Sequence, residues 1–537
     1  MKKSYILVSI SLILFSTNLV AQNIELPDVT TVIEGEGIKV EQDALPDFKD
    51  VLTIPNGSGE IIPVLPDINT NIEENKSKKI NLYNDKTVYS EISAGGGYPF
   101  LFFGNCEVQS TNKKSPFKLL FNYESANCYN GKALTDNYSD SNINLFFEKK
   151  YTQDALGLNF KASYDLTNRG LQNKVEGMSE INKSLVYGDA NVNYGFSNGI
   201  NIGADITLSL YDRFAKLTKD EVKVDDYIKQ GDFITFTPSL YFKWSGYGFD
   251  IGLKGEYLLD ANLSNAIKGD NTNRGLFKLG LNWHNDIVNA YGNVGIVFGN
   301  QLLNNSVLVP FNLGVEVSFP VYFSNRNIAF SFEGGLDSVY NKVGDKEKAY
   351  SFAALSTVPN EEADWYGKLS IALPLKGSFT GNFGAEYRKT AFDNGVIEAD
   401  YSRHTNPLYG FTKRNQELLS TDLALTFSYG IFSVKGGWHA NWFDRPSNEA
   451  LQHISLDIAF QDKNSKWGAS LFSSYEVKSD WEIPQLALEG FVQITPTVRL
   501  NLVFEDVINL FTGDERKGNG MYIDRGFSGS VFLKFVL

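Results

Sequence analysis

Between residues 199 and 211 the even positions are Ile200, Ile202, Ala204, Ile206, Leu208 and Leu210, while the odd ones include Asn201, Asp205, Thr207 and Ser209. A period of two marks a strand with one apolar and one polar face. The pattern returns at 247–257, where Tyr247, Phe249, Ile251, Leu253 and Tyr257 stand opposite Asp250, Lys254 and Glu256. It returns again at Ile328, Phe330, Phe332 and Leu336 against Ser331, Glu333 and Asp337, and at Val434, Trp438, Ala440 and Trp442 against Ser433, Lys435, His439 and Asn441. Such runs can cross a bilayer, for which a tilted strand needs about 9–11 residues.

A soluble β-sandwich alternates too, so connection lengths supply independent evidence. Tight turns are expected near Ser197-Asn198, Ser245-Gly246, Asn285-Asp286, Leu375-Lys376, Gly430, Lys463-Asn464 and Thr495-Pro496. Between them lie longer polar connections near 166–183, 212–230, 260–271, 340–360, 389–415 and 508–523. Short turns on one side and long loops on the other belong to outer-membrane barrels, and counting from Val88 gives an all-β, transmembrane antiparallel β-barrel of about 22 strands (roughly 20 to 24), with short periplasmic turns and long outer loops. Trp244, Trp283 and Trp467 fall near inner strand ends and Trp365, Trp442 and Trp481 near outer ends, as interfacial girdles require, with Trp438 nearer mid-strand.

Composition agrees: 14% aromatic residues, 47 glycines and only 16 prolines suit strands and turns. After Val20 no run approaches the roughly 20 apolar residues of a membrane helix. A polar face alternating with an apolar one lowers mean hydropathy, so a negative value does not argue against insertion. Lys2 and Lys3, an apolar run from Tyr5 to Phe15 and Ala21 ahead of Gln22 read as a cleaved signal peptide over 1–21, and hence export to the outer membrane. The chain is acidic, with a formal charge of -14, a poor match for nucleic acid. Cys106 is placed near the periplasmic end of a strand and Cys128 in a loop across the membrane, too far apart for a disulfide.

Residues 22–87 carry no strand of length and repeat Leu-Pro-Asp at Leu26-Pro27-Asp28, Leu45-Pro46-Asp47 and Leu65-Pro66-Asp67, each followed by an apolar cluster that begins at Val29, Phe48 or Ile68. Proline favours extended backbone around itself. The segment is a solvated tether, a set of docking motifs for a periplasmic partner, or a partial plug, and 88–537 is the barrel.

No catalytic, cofactor or metal constellation was found: His284, His404, His439 and His453 have no local ligand spacing, and no phosphate loop or nucleophile elbow occurs. The chain reads as a non-enzyme. The polar parity places Asp189, Asp205, Asp250, Lys254, Glu256, Glu333, Asp337, Lys435, His439, Asp457, Arg499 and Glu505 in the lumen. They either wet the wall and pair across strands or line a weakly acidic permeation path.

At the C-terminus Phe527, Val531, Leu533, Phe535 and Leu537 share one parity and look like the strand read by the barrel-assembly machinery, with Leu537 where an aromatic is usual. Upstream, Val507-Ile508-Asn509-Leu510-Phe511, then Tyr522 and Gly526-Phe527, resemble the end of TonB-dependent receptor barrels; Glu25 to Val32 is similar to the segment by which those receptors engage their energy-transducing partner. Residues 22–87 are too few for the globular plug of that family. The resemblance then implies a receptor-type barrel used as a passive channel, a binding scaffold or half of a two-component transporter. Three functions compete: transport of small solutes, surface adhesion through the outer loops, and a structural or assembly role. They are separated by whether anything fills the bore.

Overall fold

The computed structural model describes residues 88–110, 115–127, 137–217, 227–264, 271–300, 302, 307–320, 327–353, 361–374, 378–400, 408, 410–444, 449–477, 483–513 and 522–536. The signal segment, the Leu-Pro-Asp repeats, Cys128, His404, Trp481 and Leu537 lie outside them.

From Val88 each strand pairs antiparallel with its successor, and the first strand, Val88–Tyr98, also pairs with the last, Ser528–Val536, from Glu91 opposite Val536 to Tyr98 opposite Gly529. The sheet therefore closes on itself as a barrel of 22 strands. A two-residue strand, Val307–Leu308, extends the wall beside Val288–Gly299, and a small hairpin, Val396–Ala399 with Phe411–Arg414, stands apart from the wall. Among the described residues only Val343–Ala349 and Val507–Thr512 are helical, and neither helix is long or apolar enough to cross a membrane. Closure leaves the 22-strand ring no free edge strand, which hydrocarbon would not tolerate.

The alternation read from the sequence is visible in the wall. Ile202, Ile206, Leu208 and Leu210 are exposed on one face, as are Phe277, Leu279, Leu281 and Trp283 on Thr272–His284. Apolar side chains exposed in a ring identify the outward, lipid-type face. Cys106 sits mid-strand opposite Ile92 and Phe121, both exposed apolar residues, rather than near a strand end; among the described residues it is free.

One part of the wall departs from the expected loop pattern. The stretches 166–183 and 212–230 are largely strand: Leu156–Gly170, Met178–Gly195, Ile200–Leu217 and Tyr227–Gly246 run to 15, 18, 18 and 20 residues. That exceeds the roughly 9–11 residues a bilayer takes, so these strands continue past it at the end opposite the termini. Beyond hydrocarbon the outward face no longer has to be apolar, so the period that announces a strand fades while its backbone ladder continues.

Exchanging Ile206 for Arg on the exposed face should lower the stability of the lipid-refolded barrel by about 2–4 kcal/mol, read by denaturant titration in vesicles. Asp205→Asn, on the opposite face, should shift the same titration far less; equal shifts would invert the assigned faces.

Candidate functional site at the barrel mouth

The described parts of several long connections pack against the wall and against one another. Glu347, in the helix Val343–Ala349, is 1% exposed, and so is Arg213 of the wall. Arg213 Nη1 donates to Glu347 Oε2 at 2.7 Å and to the Ala353 carbonyl at 3.0 Å, while the Tyr211 hydroxyl donates to the same Oε2 at 2.9 Å. Lys183 Nζ donates to the carbonyls of Glu347 at 2.6 Å and Tyr350 at 3.0 Å and lies 3.3 Å from Oε2. At the start of the helix, Asp260 accepts from the Tyr340 hydroxyl at 3.1 Å and from the Val343 N–H at 3.4 Å. Burial alone would raise the Glu347 carboxyl, but Lys183 and Arg213 override it and hold it below the usual range. Burial pushes the Lys346 ammonium down to about 8 against the opposing pull of Asp260, Glu362 and Glu347.

These contacts cross the ring. The helix follows the strand Asn327–Tyr340 and docks on Met178–Gly195 and Ile200–Leu217, which lie far round the barrel from it. Leu171, Ile181, Ala353, Ala399 and Tyr522 form one buried cluster, although they come from four separate places on the ring. Phe352 stacks on Tyr522 at 3.6 Å, Tyr350 meets Phe411 edge-on at 5.5 Å, and Gln172 exchanges hydrogen bonds with the backbone of Ile523. Segments rooted so far apart can touch only across the mouth, so the described parts of these connections meet over the end opposite the termini and form a lid there. A second buried pair, Arg274 with Glu361 at 2.9 and 3.0 Å, fixes the adjoining rim.

Each polar residue singled out in the sequence has a local place. Asp189 accepts from Thr207 at 3.1 Å; Asp205 accepts from Asn191 and, at 3.2 Å, from Ser239. Asp250 accepts from Asn282 at 3.3 Å, and Lys254 pairs with Glu256 at 2.9 Å. Glu333 takes the hydroxyls of Tyr291, at 2.5 Å, and Tyr366, together with the Asn312 amide at 3.0 Å. Asp337 meets Arg388 at 3.3 Å; Lys435 stands opposite Asp457; His439 Nδ1 lies 2.6 Å from Asp422. Arg499 donates to Gln493 and lies 4.2 Å over the Phe491 ring, and Glu505 accepts from Ser528 at 2.6 Å. They are spread round the ring and converge on no single point, and among the described residues no three His, Cys, Asp or Glu side chains are arranged to hold a metal ion. Val531, Leu533 and Phe535 are exposed on one face of the last strand, with Phe527 just before it, its ring 6.0 Å from Tyr98.

The sequence reading missed the quartet Lys183, Tyr211, Arg213 and Glu347. A signal was present: the polar parity of Asp189 and Asp205, continued along their strands, reaches Lys183 and Arg213, which face one another in the ladder. Two cations directly opposed are unfavourable and call for a carboxylate from elsewhere.

No protein-family model matches the sequence, and no curated protein matches it. The fold is that of TonB-dependent receptor barrels. The chain is similar to the FrpB iron transporter from Neisseria meningitidis (TM-score 0.61, 9% identity, covering 84% of this chain and 82% of that one). It is similar to the copper transporter OprC (TM-score 0.60, 10% identity, 84% and 80% covered) and to the siderophore receptor PirA from Acinetobacter baumannii (TM-score 0.62, 9% identity, 84% and 81% covered).

Glu347→Ala leaves Arg213 and Lys183 buried without their counter-ion, a loss of about 3–5 kcal/mol for a pair of this kind. Amide exchange of 343–353 should then accelerate strongly while the ladder of Ile200–Leu217 stays protected. Unchanged exchange at 343–353 would mean that the lid does not depend on Glu347.

Proposed function

We propose that the protein is an outer-membrane transport barrel, with both termini and the short turns in the periplasm and the lid facing outward, that passes small solutes when the lid opens. The observation that carries this reading is the mouth itself. An adhesin presents its loops to a partner, whereas here the described parts of the connections bury apolar residues against one another and fasten a helix to the far wall. A cover has a use only if something passes beneath it. The solved structures of similar fold described as an iron transporter, a copper transporter and a siderophore receptor support the same class of function. The paired polar residues of the face opposite the exposed apolar belt, Asp189, Asp205, Glu333 and their neighbours, would keep the bore hydrated. In this reading residues 1–21 are the removed leader, the last strand addresses the barrel-assembly machinery, and the Leu-Pro-Asp units of 22–87 dock a periplasmic, energy-transducing partner.

Two measurements test it. Refolded into planar bilayers, the full chain should conduct little, and Glu347→Ala should raise the open probability; equal, negligible conductance in both would remove transport from the reading. On intact cells, a cysteine replacing Lys219 should react with an impermeant maleimide while one replacing Ser197 should not, and equal labelling would overturn the orientation.

A further inference from the structure

A cavity of about 260 Å3 lies between the lid helix and the wall strands Ser139–Gln153, Leu156–Gly170 and Met178–Gly195. Two rungs of the ladder form its back. Asn142, Thr167 and Lys183 stand in line, and beside them Asn144, Asp165, Leu185 and Tyr211. Gly344, Glu347, Lys348 and Ser351 close the front.

The lining is specific in what it offers. Arg169 is engaged with Asp140 at 2.8 Å, Lys183 with Glu347, and Asp165 accepts from the Asn144 amide. Asn142, Thr167 and Ser351, all half-buried, have by contrast no side-chain hydrogen bond or ion pair with any described residue, and the exposed Lys348 has none either. Free hydrogen-bonding groups thus line one space from both the wall and the lid. An apolar occupant would leave Asn142, Thr167 and Ser351 unsatisfied, which is unfavourable. An anion would meet the Asp165 carboxylate, and a small cation would meet Lys348. A neutral molecule that donates and accepts at many points satisfies all of them, and the Tyr211 ring and Leu185 offer an apolar patch for the C–H face of a saturated ring.

We propose that this cavity binds one neutral polyhydroxylated solute of monosaccharide size, clasped between the wall and the lid helix. The volume lies just under the roughly 300 Å3 at which sites for drug-sized ligands begin, which suits a single sugar ring. Because the ligand touches both sides, occupancy is coupled to lid position. The inference adds a substrate class to the transport reading and rests on it only for its biological meaning; the binding stands on the cavity.

The test uses the full chain in nanodiscs, titrated by calorimetry with glucose, galactose and N-acetylglucosamine, and with gluconate and glucosamine as charged counterparts. At least one neutral sugar should bind at a ratio of one to one, more tightly than either charged compound. Thr167→Phe, which fills the cavity from the wall, should abolish binding. Thr167→Val, which keeps the volume and removes one hydroxyl, should weaken it about two- to tenfold. Heat-shifted gel migration confirms that each variant is a folded barrel. Failure of every neutral sugar, preference for gluconate or glucosamine, or undiminished binding in a folded Thr167→Phe barrel would each overturn the site. Failure of binding with the conductance response of Glu347→Ala intact overturns this inference alone; sugar binding to a chain that never conducts overturns the transport reading and leaves the site standing.

Discussion

Everything in this molecule follows from the need to satisfy backbone hydrogen bonds where no water is present. A strand in hydrocarbon must be paired on both sides, and a chain whose segments alternate apolar and polar residues can meet that demand only by returning its last strand to its first. The pairing of Ser528–Val536 with Val88–Tyr98 does so. Once the ring is closed, the apolar parity faces outward as a consequence of geometry, and the polar parity has to find its partners on the other face. Hence Glu333 is wrapped by two tyrosine hydroxyls and an amide, and Asp205 by an amide and a serine.

Closure also creates a problem at the rim, because a wide ring leaves a wide mouth. The strands on one arc overrun the bilayer, and there the rule that sorts residues between faces relaxes. Lys183 and Arg213 stand side by side at that height, a repulsive arrangement that persists because Glu347 arrives from a connection rooted several strands away. The charge that stabilises the overlong strands is thus the one that draws the lid helix across the opening. The apolar cluster of Leu171, Ile181, Ala353, Ala399 and Tyr522 then excludes water from the junction, where effective dielectric is lower and each ionic contact is stronger.

What the sequence revealed divides along the same line. Inside the bilayer, burial against lipid imposes a strict period of two, so Ile200 to Leu210 declared both the strand and its faces, and the turns near Ser197, Gly430 and Lys463 could be found between such runs. Above the bilayer both faces may be polar, so residues 212–217 and 178–183 looked like loop although they are ladder. The lid was illegible for a different reason. Its contacts join positions hundreds of residues apart, 351 between Gln172 and Ile523, and no local pattern encodes which loop reaches which wall. Glu347 lay in a stretch read as a long polar connection; its partners become evident only when the ring brings them into one place.

Wall and lid are held by different kinds of force, and that separates their stabilities. The wall rests on backbone ladders continuous around the ring, which open only by unfolding. The lid rests on side chains: one carboxylate between two cations, a few ring contacts and a small apolar cluster. Breaking a buried ion pair by removing one partner is costly, yet separating it into water returns hydration to every charge, so an opening lid is compensated in a way that a mutated one is not. Glu347 Oε1 sharpens the point, because it is buried and receives no hydrogen bond from the described protein. A closed state that leaves an acceptor unsatisfied lies nearer in free energy to a hydrated open state than a fully paired one would. The lid can therefore yield while the wall stays intact.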